Sequence, residues 1–194
     1  MKEVVIYPLS DLHLGNVNFD NEKLKNWLKD FNKCNDNKIV YCLGDFLDGS
    51  VVYNGKFNIE NKKLNMILSE LKPYIHNTVK GNNDYFIEKN YKSFYDNATY
   101  DFYDKINVNN QTFNIYGRHG NDFIMKFDIK NNLKKFNKKC DIYLQGHYHY
   151  SYHYIQNDKH YIFNSCFLKD TDDLMKIKID ENHNVIVKKI GDEF

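Results

Sequence analysis

Arginine is nearly absent from this 194-residue chain: Arg118 is the only one, so 26 of the 27 basic residues are lysine, and 26 acidic residues leave a formal net charge of +1. That balance gives no strong field for a polyanion, so long nucleic acid is not a favoured partner. The four cysteines, Cys34, Cys42, Cys140 and Cys166, include no C-x-x-C pair. This argues against a disulfide framework and a zinc knuckle, and buried reduced thiols are expected. Nowhere do about 18 apolar residues run together, as a membrane-spanning helix requires. The opening "MKEVVIYPLSD" meets acid too early for the apolar core of a signal peptide. A cytoplasmic protein with no membrane partner is expected. No repeat and no linker divide the sequence, so residues 1–194 are expected to form a single domain.

What is present is large and apolar. Hydrophobic residues make up 42%, with 16 Tyr and 14 Phe, too many for a disordered chain despite a mean hydropathy of -0.71. "VVIYPL" (4–9) and "KIVYCL" (38–43) are continuous apolar runs of strand length, as in buried parallel strands. Between them Leu24, Trp27, Leu28 and Phe31 fall at helical spacing, with Asp20 or Asn21 as N-cap. Leu64, Ile67, Leu68 and Leu71 repeat that spacing and stop near Pro73, before the third strand "IHNTVK". This β-α-β-α-β order predicts a parallel sheet with right-handed crossovers. After residue 98 short alternating runs follow, read as a second, largely antiparallel set with turns at Asn109-Asn110 and Glu181-Asn182. One more helix is expected around Asp128 to Asn137, with its "KKFNKK" run as a solvated face, and Tyr148, Tyr150, Tyr152 and Tyr154 are expected to pack on the sheet.

Each strand of the first half runs out into similar polar residues: Asp11-Leu12-His13, then Gly44-Asp45 with Asp48, then Gly81-Asn82-Asn83-Asp84. In open α/β sheets ligands bind at the carboxyl ends of the strands, so these loops should converge. The second half adds His119 after "FNIYGR", and His147 and His149 after "DIYLQG". The stretch Gly-Asn-Asn-Asp also suits a turn, since all three residue types tolerate the left-handed backbone region. Seven oxygen and nitrogen donors are too many for one tetrahedral ion and suit two ions sharing a carboxylate. With no thiolate among them the mix favours Mn, Fe, Zn or Ni. His76, His153, His160 and His183 match no motif and are read as ordinary histidines.

D-x-H, G-D-x-x-D, G-N-x-D, a single His after a strand, and G-H-x-H occur here in that order. They resemble the calcineurin-like metallophosphoesterase superfamily, and the resemblance runs from residue 11 to residue 149. It implies an α/β (α+β) fold, a four-layer sandwich of two mixed sheets flanked by helices. It also implies two divalent metal ions, manganese first and iron, zinc or nickel as the other fits. One would be held by Asp11, His13, Asp45 and His149; the other by Asp45 as bridge, Asn82, His119 and His147. The implied reaction is attack of a metal-bridging hydroxide on a small phosphoester substrate.

Most members of that superfamily have His where this chain has Asn83, a proton donor to the leaving oxygen that the following Asp orients. A carboxamide has no such proton, and losing a general acid costs roughly 100- to 10,000-fold. It can still donate a hydrogen bond to a phosphoryl oxygen. Small members with Asn or Cys there are associated with phosphodiesterase activity, so the resemblance implies a phosphodiesterase, with Asn83 and Asp84 as catalytic candidates. Arg118 joins them because a guanidinium holds two phosphate oxygens at once. Asp48 is expected to support the Gly44-Asp45 loop from behind. The other readings are a phosphomonoesterase or nuclease using the same site, and a non-catalytic scaffold of the same fold. Homo-oligomerisation is left open.

Overall fold

A computed structural model describes residues 1–88, 98–120 and 139–194. The helix expected around Asp128 to Asn137, and the "KKFNKK" run apart from Lys139, lie outside the described residues. The three apolar runs form β1 (Val4–Leu9), β2 (Asn37–Cys42) and β3 (Ile75–Thr78), which pair in parallel in that order. Helix α1 (Asn21–Lys33) makes the first crossover, and α2 (Ser50–Tyr53) and α3 (Phe57–Leu71) the second. Asp20 caps α1, its carboxylate accepting from the Glu22 and Lys23 N–H groups at 2.9 and 3.1 Å. Helix α3 stops at a 3-10 turn containing Pro73, which has no N–H to extend the helix.

Strand β1 is apolar throughout because both its faces are covered. Val5, Tyr7 and Leu9 pack with Trp27, Phe31, Leu64 and Leu71 of the helices, whereas Val4 and Ile6 pack with Ile115, Ile142, Leu144 and Ile162 of a second sheet. That second sheet comprises β4 (Asp101–Val108), β5 (Gln111–Arg118), β6 (Ile142–Gln145), β7 (Tyr152–Gln156) and β8 (Lys159–Phe163), in the order β4-β5-β6-β8-β7. The remaining strands, β9 (Met175–Ile179) and β10 (Val185–Lys189), extend the first sheet to β10-β9-β1-β2-β3. After β3 the chain enters α4 (Asn82–Glu88).

The fold is therefore two mixed five-stranded sheets with helices, the α/β architecture expected, but the reading of the second half needs correction. Its β4–β5, β7–β8 and β9–β10 pairings are antiparallel, but β5, β6 and β8 run parallel, and the β9–β10 hairpin leaves that sheet to pair with β1. Alternation reports which face of a strand is buried, not which neighbour it meets or in which direction. The Asn109-Asn110 turn has both residues in the left-handed region, at φ 43° and 69°, as a two-residue hairpin requires. At the other hairpin the Asp180 carboxylate accepts from the Asn182 and Asn184 N–H groups at 2.9 and 2.8 Å. Tyr148, Tyr150 and Tyr154 pack against Tyr116, Tyr143, Tyr161 and Phe163. All four cysteines are free, and Cys42, Cys140 and Cys166 are buried. Among the described residues no helix is long and apolar enough to cross a membrane.

Candidate metal centre

Five strand ends meet at one edge of the two sheets. Asp11 and His13 follow β1, Asp45 follows β2, Asn82 opens α4, His119 follows β5, and His147 and His149 follow β6. Six of these side chains form two groups, Asp11 with His13 and His149, and Asp45 with His119 and His147, the donor atoms of each lying within 4.8 Å of one another. The groups touch through Asp45, whose Oδ2 is 3.3 Å from His119 Nε2 and 3.9 Å from His13 Nε2. Asn82 Oδ1 lies 3.2 Å from His119 Nε2, which brings the seventh candidate to the second group.

The backbone is bent to achieve this. Asp11, His13, Asp45, His147 and His149 have φ of 53°, 47°, 53°, 74° and 59°, a region costing non-glycine residues about 1–3 kcal/mol each. Such strain persists only where the surroundings over-determine it. Here the Asp11 N–H donates to Gly44 O at 2.9 Å, His13 N–H to Asp45 O at 3.0 Å, and His147 N–H to the Asp11 carboxylate at 2.9 Å. Gly-Asn-Asn-Asp, which also suited a turn, opens a helix, and Gly81 is not left-handed. Its role is room: a Cβ there would overlap the Asp45 carboxylate and lie 2.5 Å from Asp45 N. Gly81→Ala is therefore expected to displace Asp45 and weaken divalent-metal binding about 10- to 100-fold, the range seen when a ligand's supports are disturbed. Calorimetric titration of the variant beside the parent checks this; equal affinities would show that the loop yields without cost.

Ring orientation comes from behind the donors. His119 Nδ1 donates to Leu43 O at 2.7 Å, leaving Nε2 for the site. His13 Nδ1 is 3.4 Å from Asp48 Oδ2, and Asp48 is itself held by Asn16 Nδ2 and Ser50 N–H at 2.7 and 2.9 Å. Supports without a sequence signal are Ser10, whose hydroxyl donates to Asp11, and Cys166, whose thiol lies against His149. The Cys166 loop is tied down by Lys23, whose ammonium reaches Cys166 O, Leu168 O, Asp172 O and Thr171 Oγ1 at 3.3, 3.1, 3.2 and 2.7 Å. Lys23→Met should destabilise the fold by about 1–3 kcal/mol, since those acceptors lose a charged donor. A fall in thermal midpoint reports it.

Charge in the cluster is dense and nearly dry, with Asp11 at 0% and Asp45 at 2% exposure. Burial opposes ionisation of both, yet the neighbouring histidines, His119 foremost, hold both carboxyls lowered. Burial likewise opposes histidine charge, but Asp11 and Asp48 raise His13 to about 10, and Asp11 and Asp45 raise His119 to about 9. Asp11, with Cys166, raises His149 to about 9 against the same burial. His147 is lowered by burial and by the charge on His119. Asp11 Oδ1 is buried with no hydrogen-bond partner. An orphaned carboxylate oxygen facing imidazole nitrogens, with no thiolate donor, fits hard or borderline divalent cations.

The other candidates fall as follows. Asn83 donates its N–H to Asp45 Oδ1 at 2.8 Å and its amide Nδ2 to Asp45 Oδ2 at 2.7 Å, while Asn83 Oδ1 accepts from Gly49 N–H at 3.2 Å. Asp84 is fully buried and accepts from the N–H groups of Asp45, Phe46 and Gly81 at 2.7, 3.1 and 2.9 Å, tying α4 to the Asp45 loop. Burial and the Asp45 charge raise its pKa to about 7 against those three donors. Arg118 Nε donates to Gln145 Oε1 at 3.2 Å beside His119. His153 and His160 stack on β7 and β8, outside both groups.

The family model for calcineurin-like phosphoesterases matches residues 5–187. Among solved structures, the chain is similar to a conserved protein of Streptococcus pneumoniae described as a predicted phosphoesterase, at 17% identity over 97% of this chain and 98% of that one, with a TM-score of 0.57. Vacuolar Protein Sorting 29 of Cryptosporidium parvum shares 15% identity over 97% and 98% of the two chains, with a TM-score of 0.64. Wild-type Vps29 of Entamoeba histolytica, in complex with zinc, shares 16% over 98% and 94%, with a TM-score of 0.58. At these identities the likeness is one of fold. No curated protein matches the chain. With a family model spanning residues 5–187 and the fold of its structural neighbours, the chain belongs to the calcineurin-like phosphoesterases.

Proposed function

We propose that this chain is a single-domain, cytoplasmic, metal-dependent phosphodiesterase acting on small nucleotide-like or organic diesters. The observation that carries the reading is the placement of Asn83, whose Nδ2 lies 2.7 Å from Asp45 Oδ2. The side chain at this position reaches the carboxylate between the two donor groups, and it is an amide with hydrogens to donate but no titratable proton. It therefore suits stabilising charge on a phosphoryl oxygen rather than protonating a poor leaving group.

In this reading Asp11, His13, Asp45 and His149 hold one divalent ion, and Asp45, Asn82, His119 and His147 hold the other, with manganese the first choice. When bound, such a pair supplies Lewis acidity and a water of lowered pKa. The chain's own residues do the rest. Asp45 sets the spacing of the two donor groups, Asp84 fixes the Asp45 backbone, and Arg118 neighbours the site with a fork suited to phosphate oxygens. A net charge of +1 favours small substrates over long nucleic acid.

A second reading, a binding platform of the same fold, draws on the likeness to Vps29 proteins. Filled donor positions at all seven candidate sites weigh towards the enzyme. Elemental analysis of the purified protein, with a panel of monoesters, linear diesters and 2′,3′-cyclic nucleotides under Mn²⁺, separates the two. Bound divalent metal with diester turnover above monoester turnover is expected. A protein that takes up no metal and hydrolyses none of the panel would leave the platform.

A further inference from the structure

Beside His119 lies a cavity of about 190 Å³ whose walls include Lys80, Tyr100, Asp101, Tyr116, Arg118 and His119. Two of its lining residues adjoin the metal donors: Lys80 stands two residues before Asn82, and Arg118 immediately precedes His119. Strands β4 and β5 set Asp101 opposite Arg118. A phosphodiester carries two organic arms, and a phosphoryl group seated at the metal donors has this cavity within reach of one of them.

The lining states what kind of arm. Lys80 Nζ pairs with Glu88 at 2.8 Å, and Asp101 stands opposite Arg118 in the strand register, so positive and negative charges occur together. A second phosphate would select for unbalanced positive charge. Instead, ammonium and guanidinium donors stand beside a carboxylate acceptor that Tyr116 OH already orients from 2.7 Å. Donors and acceptors side by side suit the hydroxyls of a sugar and the edge of a heterocycle. Tyr100 adds a large aromatic ring that is 67% exposed, surface that a stacked base would cover.

We propose that this cavity binds a nucleoside arm of the substrate, with Tyr100 as the stacking surface and Asp101 as acceptor for a sugar hydroxyl. The inference rests on the phosphodiesterase reading for its orientation, but its test does not depend on turnover alone. Base–aromatic stacking corresponds to about a 5- to 150-fold change in affinity per base. Wild-type protein should show a KM for the p-nitrophenyl ester of thymidine 5′-phosphate at least about tenfold below that for methyl p-nitrophenyl phosphate. In Tyr100→Ala that ratio should fall towards one, and Tyr100→Phe, which keeps the ring, should restore it. A ratio unaltered by Tyr100→Ala would overturn the proposal. If neither ester is turned over, the phosphodiesterase reading fails on its own account. Calorimetric binding of thymidine 5′-monophosphate then decides the cavity: about tenfold weaker binding by Tyr100→Ala supports it, and equal affinity overturns it.

Discussion

Asp45→Ala is expected to lower phosphodiester kcat/KM by about three orders of magnitude and to remove at least one bound metal ion per chain. The expectation follows from position. Asp45 Oδ2 is within 3.3 Å of His119 Nε2 and 3.9 Å of His13 Nε2, so this one carboxylate serves both donor groups. Lewis-acid stabilisation by a bound metal is worth several kcal/mol in the transition state, and about 4 kcal/mol is a thousandfold in rate. The substitution leaves the Asp45 N–H on Asp84 Oδ2 in place, so the loop retains its anchor. Thermal unfolding separates loss of the site from loss of the fold, and Asp45→Asn, which keeps the shape but not the charge, provides a second test. Activity within tenfold of the parent at unchanged metal content would defeat the two-ion reading.

Asn83→His should move the enzyme towards monoesters. An imidazole there regains the proton that the amide lacks, and general acid catalysis contributes about 100- to 10,000-fold where the leaving group is poor. Gly49 admits the present side chain, since a Cβ there would lie 2.8 Å from Asn83 Oδ1, and Asn83→His also gives up the Gly49 N–H bond to that oxygen. The cost is the loss of the hydrogen bond that Asn83 Nδ2 donates to Asp45 Oδ2, so some diester activity should be lost as monoester activity rises. A change of about 100-fold in the ratio of glycerol phosphate to bis(p-nitrophenyl) phosphate turnover is expected. An unchanged ratio would show that residue 83 does not set substrate preference.

Much of the site is legible in the sequence. Three continuous apolar runs separated by helical spacing require parallel strands, and parallel strands present their following loops at one edge. Asp11, His13, Asp45, Asn82, His119, His147 and His149 each follow a strand end, which is why their positions in the sequence already group them. An N-cap at Asp20 or Asn21, which the fold places at Asp20, the stop near Pro73 and the Asn109-Asn110 turn were equally readable, because each depends on a residue and its immediate neighbours.

Contacts between distant residues were not readable. His119 is aimed by a carbonyl 76 positions away at Leu43, and Lys23 secures a loop more than 140 positions downstream. Short apolar runs marked β5, β6, β8 and β9 as strands, but did not say that the first three run parallel or that β9 joins β1. Nor does any local rule place five donors in the left-handed backbone region, where their own preferences oppose them. The sequence thus determined which side chains gather and at which edge, through strand periodicity and the residues that end each strand. Their spacing, the orientation of each ring and the role of Gly81 were decided by the tertiary structure, because each depends on atoms that only the folded chain brings within a few ångströms.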